Sequence, residues 1–109
     1  MAALNVFQTV TADVTTTATN IYTAPSGYTA IILMAQVSNI TTSTRKVTFS
    51  HYAGSTTTEL LKDFSIPAND AVSATTGKLV LETGQSVRVS SDANSSLKIV
   101  LSILETSNG

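Results

Sequence analysis

The stretch from Tyr22 to Thr41, YTAPSGYTAIILMAQVSNIT, decides how the chain is read. It opens on Pro25-Ser26-Gly27, a turn signal: proline presets φ, and glycine supplies a conformation that other residues avoid. A long run then follows whose apolar residues occupy both faces of an extended chain. Ile31, Leu33, Ala35 and Val37 fall on one face by strict alternation, and Ala30, Ile32, Met34 and Ile40 on the other. A helix is the rival reading, but the run is β-branched at both ends and shows no 3.6-residue stripe. The run therefore reads as a strand that needs cover front and back, unlike the apolar-in, polar-out strands of a half-wet antiparallel sheet.

Working outward, the rest of the chain repeats this grammar. Turn signals recur about every 8 to 12 residues, the spacing of short antiparallel strands in a sandwich or barrel. Leu4 to Val10 opens the chain with period two, and the Thr-rich continuation to Asn20 reads as an edge strand or a laced loop. Val47, Phe49 and His51 share one face of the next strand, with Lys46, Thr48, Ser50 and Tyr52 on the other. Thr56 to Ile66 ends at Pro67, and Phe64 reads as core together with Phe49. Leu79, Leu81, Val87 and Val89 point inward from short strands, away from Lys78, Glu82, Arg88 and Ser90. In the last strand Leu97, Ile99, Leu101 and Ile103 point inward, while Val100 and Leu104 again lie on the opposite face. The expectation is an all-β, antiparallel two-layer β-sandwich of eight or nine strands, jelly-roll or immunoglobulin-like. It forms one domain over residues 1–109, with residues 1–19 as an extended N-terminal arm or edge strand.

Composition narrows function by exclusion. The chain has 42% hydrophobic and 12% charged residues and a formal net charge of -1. Its six basic residues, Arg45, Lys46, Lys62, Lys78, Arg88 and Lys98, are scattered, whereas a phosphate backbone needs a clustered positive field, so no nucleic-acid partner is expected. There is no cysteine, which removes disulfides and thiolate metal sites. The N-terminus has no basic region followed by a continuous apolar run, so it does not read as a secretory signal. No stretch approaches the ~18 apolar residues of a membrane span, and no membrane partner is expected.

Reactive groups are equally sparse. His51 is the single histidine, and its chain neighbours Ser50 and Tyr52 face the opposite way on a strand, so it is no base for Ser50. It reads as a half-buried or interface histidine. Asp63, Asp70, Glu82, Asp92 and Glu105 fall at strand ends or turns and form no paired motif. Ser91 to Ser96 lacks the acidic density of a calcium loop, and the two Thr-Gly turns lack the spacing and following helix of a phosphate loop. No catalytic residue, metal or cofactor is expected, and the chain does not read as an enzyme. Sugar binding is the remaining small-molecule reading. With tryptophan absent, Tyr52 is the one outward ring that could stack a pyranose.

Four segments then carry a resemblance. Tyr22 to Pro25, Ile66 to Asp70, Leu79 to Val87 and Ser102 to Glu105 follow one another in an order that resembles the small all-β virion structural proteins of tailed bacteriophages, notably phages of aquatic bacteria. The resemblance extends from about Asn20 to Glu105. It implies a non-enzymatic part of a virion, assembled in the host bacterial cytoplasm: a capsid decoration or cement protein on the major capsid protein lattice, or a neck, tail, baseplate or fibre accessory. It implies a homo-oligomer, with a trimer as one fitting arrangement. The contact residues expected on this reading are Leu4, Val6 and Phe7 in the N-terminal segment and Tyr52 on the outward side of its strand. A carbohydrate-binding module is the alternative outside the virion.

Overall fold

The computed structural model describes residues 5–108. Nine strands account for its regular structure: β1 (Asn5–Val14), β2 (Thr19–Thr23), β3 (Tyr28–Asn39), β4 (Arg45–Ala53), β5 (Thr56–Ile66), β6 (Ala71–Ser73), β7 (Leu79–Leu81), β8 (Ser86–Ser91) and β9 (Leu97–Ser107). They form two antiparallel sheets packed as a sandwich. The larger runs β1-β9-β3, with β6 and β7 both paired to the far side of β3; the smaller runs β2-β8-β4-β5. Consecutive strands β1 to β4 thus alternate between the layers. An immunoglobulin domain instead keeps its first two strands in one sheet.

The turns follow from their residues. Tyr28 N–H donates to Pro25 O at 3.1 Å, and Gly27 holds φ at +81°, closing the Pro-Ser-Gly turn ahead of β3. Gly54, at φ +63°, opens the two-residue loop between β4 and β5. A positive φ at the first loop position alone is the type II′ pattern, whose twist matches that of the flanking strands.

The core lies between the layers. Val14, Ile32, Val37, Leu97, Ile99, Leu101 and Ile103 fill it from the larger sheet, and Val47, Phe49, Val87 and Val89 from the smaller. Each is at most 2% exposed, and each such burial contributes about 1.5–3 kcal/mol for the larger side chains. The inward sets expected on β4, β8 and β9 are found here.

Strict alternation fails on β3, and the failure explains its apparent two-faced character. Ile32 pairs with Ile103 and Met34 with Ser102, so Leu33 is an extra residue, a β-bulge opposite no partner of its own. The bulge reverses the parity of the strand halfway along. Ala30 and Ile32 before it, and Ala35, Val37 and Asn39 after it, all face the core. The outward residues are Ile31, Leu33, Met34, Gln36 and Ser38. Ile40 belongs to neither face: it lies past the strand end and is exposed. Phe64 departs from expectation too. It sits on edge strand β5 beside bulges opposite β4 and remains 43% exposed, whereas Phe49, on an inner strand, is fully buried.

Of the buried polar side chains, Asn39 and Glu105 each tie separate elements together. Asn39 Nδ2 donates to the carbonyls of Ser43 (2.8 Å), Ile66 (2.9 Å) and Pro67 (3.2 Å), while its Oδ1 accepts Thr41 N–H (2.9 Å) and Oγ1–H (2.7 Å). One buried amide thereby ties the end of β3 to the loops on either side of it. Glu105, 6% exposed, faces inward from β9 and accepts hydrogen bonds from Tyr22 Oη–H across the sandwich and from Gln8 Nε2–H at 2.7 Å. Burial of Tyr22, then the hydrogen bond and the negative charge of Glu105, push its phenol above the ordinary tyrosine range.

Candidate interaction surface

The outward residues of the larger sheet fall into rows that cross its strands. Phe7 on β1 is paired with Leu104 on β9, Leu104 with Ile31 on β3, and Ile31 with Val80 on β7. All four are apolar and on the solvent side. Leu33 and Met34 lie beside this row, brought outward together by the bulge. Phe7 is 74% exposed, Val80 53% and Met34 37%, so no loop of the described chain covers the row. The Thr-rich segment, expected as an edge strand or a laced loop, completes edge strand β1 and leads into edge strand β2, and it does not lie over this row.

Away from this row the same face becomes polar. Thr11, Val100, Gln36 and Ser73 form one crossing row, and Asp13, Lys98, Ser38 and Ala71 another. Lys98 Nζ donates to Asp13 Oδ1 at 2.7 Å, an exposed pair worth at most about 1 kcal/mol. A shallow depression of about 560 Å³ lies over these polar rows.

The outer face of the smaller sheet has a different character. Arg88 places its guanidinium 3.4 Å from the centroid of the Tyr52 ring and donates from Nε to Asn20 Oδ1. Thr23 and Ser86 share a hydroxyl hydrogen bond of 2.8 Å next to them. One face of Tyr52 is thus taken by a cation, leaving at most one for a sugar ring.

The expected contact residues separate accordingly. Phe7 stands at the end of the apolar row; Val6 turns inward and half-buried opposite Glu105. Tyr52 lies on the other sheet, so Phe7 and Tyr52 belong to opposite outer faces. Leu4 lies outside the described residues. Val80 had no assigned role in the sequence, though an apolar residue between the inward Leu79 and Leu81 was its signal. His51 Nε2 lies 3.1 Å from Gln85 Oε1, which also accepts Glu82 N–H at 3.0 Å; the oxygen is therefore an acceptor and the imidazole nitrogen its donor. Ser50 points to the opposite side of β4, against Arg88. Among the described residues no three His, Cys, Asp or Glu side chains gather in a way that could hold a metal ion. No helix of the described residues is long and apolar enough to cross a membrane.

No family model and no curated protein matches this chain. Solved structures do. The chain is similar to one from the acid-stable capsid structure of Helicobacter pylori bacteriophage KHP30, with a TM-score of 0.60 and 13% identity, covering 100% of this chain and 92% of that one. It is also similar to one from Bacillus endospore appendages, which form disulfide-linked pili, with a TM-score of 0.57 and 13% identity, covering 96% of this chain and 88% of that one. Both likenesses span the whole sandwich and establish the fold.

Proposed function

We propose that this chain is a non-enzymatic structural protein of a tailed-phage virion, a decoration or cement protein that docks on the major capsid protein lattice through the outer face of its larger sheet. The observation that carries this reading is the uncovered apolar row Phe7, Leu104, Ile31 and Val80 on a sandwich whose fold recurs in a phage capsid structure. Exposed apolar rows of this kind mark protein contacts. We read the layer-alternating strand order as that of a jelly roll, a scaffold suited to stacking side by side. The likeness to pilus subunits supports an assembly role of the same kind. Disulfide linkage, however, is closed to a chain without cysteine.

The test is re-addition. The purified protein is expected to co-sediment with capsids lacking it and to appear as density on the lattice. A Phe7→Ser, Val80→Ser double variant is expected to keep its far-UV spectrum and lose binding tenfold or more, since about 200 Å² of apolar surface leaves the contact. Density confined to neck, tail, baseplate or fibre would move the protein to an accessory role there. Failure to bind any virion part would overturn the reading.

A further inference from the structure

The larger sheet ends on β1, which has a strand neighbour on one side only. Every other edge of the sandwich carries a feature that discourages further pairing. β2 is five residues long and irregular between Asn20 and Tyr22. β5 breaks register twice against β4 and holds Asp63 at positive φ, with Glu59 and Lys62 beside it. β6 and β7 have three residues each. β1 runs ten residues in unbroken register with β9, has no proline, and carries one charge, Asp13.

We propose that β1 pairs antiparallel with β1 of a second copy of this chain across a two-fold axis, joining two five-stranded sheets into a single continuous one. The occupant follows from how the strand matches itself. Centred on Thr9, the pairing sets outward residues against outward ones: Thr9 on Thr9, Phe7 on Thr11, Asn5 on Asp13. Inward residues meet inward ones, Val6 on Ala12 and Gln8 on Val10. Asp13 faces an amide rather than a second carboxylate, and its charge is already met by Lys98. Like charges oppose one another only in a register centred on Asp13 itself, which would leave just Ala12 to Val14 overlapping. The pairing carries the two apolar rows, each ending at Phe7, to the same face of the joined sheet. A pair of this kind is isologous and closes as a dimer, in contrast to the trimer the sequence suggested. It deepens the virion reading by naming the partner at one edge, and it is tested without a particle.

Sedimentation equilibrium at about 100 µM, ample for a micromolar dimer, is expected to give twice the 11.4 kDa chain mass. Thr9→Lys and Thr9→Glu, both at an exposed position, are each expected to weaken self-association at least ~tenfold, and their equimolar mixture to restore it. Thr9→Cys is expected to form a disulfide-linked dimer on air oxidation, since the chain has no other thiol, whereas Thr57→Cys on β5 stays monomeric. A monomeric wild type, a trimer, or a dimer indifferent to both Thr9 charges would overturn the proposal. Capsid re-addition separates the two readings. Thr9→Lys monomers that still bind capsids uphold docking without depending on the dimer, and an intact dimer that ignores capsids sinks the docking reading alone.

Discussion

Removing Leu33 should leave the sandwich folded, whereas removing Val100 from the adjacent strand should not, although both are outward, half-buried aliphatic residues of central strands. Leu33 is the surplus residue of a bulge: with it gone, Ile32 opposite Ile103 is followed directly by Met34 opposite Ser102, and inward residues stay inward on both sides. The loss is the partial burial of one leucine and the local twist of the bulge, about 1–2 kcal/mol together. β9 has no such slack, because it pairs with β1 through ten consecutive residues. Deleting Val100 shifts one half of β9 by one position. Shifting the C-terminal half puts Ser102 in the fully buried place of Leu101, about 3–5 kcal/mol by analogy with large-to-small core changes. It also sets Thr106 in place of Glu105, leaving Tyr22 and Gln8 without their acceptor at about 1–3 kcal/mol. Shifting the N-terminal half would put Lys98 in the core. The total, about 4–8 kcal/mol, is comparable to the whole stability of a domain this size. Urea titration followed by far-UV circular dichroism and tyrosine fluorescence reads both. Equal losses from the two deletions, or an unfolded Leu33 deletion, would refute the bulge as the source of β3's two-faced pattern.

Three further outcomes follow from named contacts. Asn39→Ala takes the shared donor from the buried Ile66 carbonyl and the part-buried Ser43 and Pro67 carbonyls and should cost about 2–4 kcal/mol, read as a melting-temperature drop of about 10–20 °C. Tyr22 holds its proton more tightly folded than unfolded, so stability should fall as pH rises past the ordinary phenol value of 10.0. Allowing for solvent screening of a half-buried group, the slope should be at most about 1 kcal/mol per pH unit. Tyr22→Phe should flatten it, and identical slopes in the two proteins would disprove the linkage. Gly27→Ala meets no atom within 4 Å but must adopt φ +81°, so denaturant melts should register a purely conformational loss of about 1 kcal/mol.

The sandwich was legible because its signals are local. Alternation at Val47 and Phe49 or at Leu97 through Ile103, and the Pro25-Ser26-Gly27 turn, need only neighbouring residues to be read. The bulge at Leu33 was hidden, since nothing in the run TAIILMAQV marks which residue lacks a partner; that depends on the register β9 imposes. The same dependence separated Phe7 from Tyr52, whose assignment to opposite sheets is a matter of topology. Val80 became a surface residue of interest only when register set it beside Ile31. Phe64 misled because a phenylalanine on an edge strand looks, in sequence, like one on an inner strand.

The likeness to a phage capsid structure and to a chain of Bacillus pili, at 13% identity in each case, shows the fold alone, so the reading of function falls to individual residues. A sandwich core accepts many combinations of Val, Ile and Leu provided volume and alternation are kept, so the buried positions speak mainly to the fold. An exposed residue is under no such demand. Phe7, three-quarters in solvent, adds almost nothing to the stability of the lone chain and burdens its solubility. The same holds for Val80 across the sheet, and for an edge strand as long and as weakly charged as β1. These features lie together on one face and one edge, and docking or strand pairing would convert all of them from burdens into contacts.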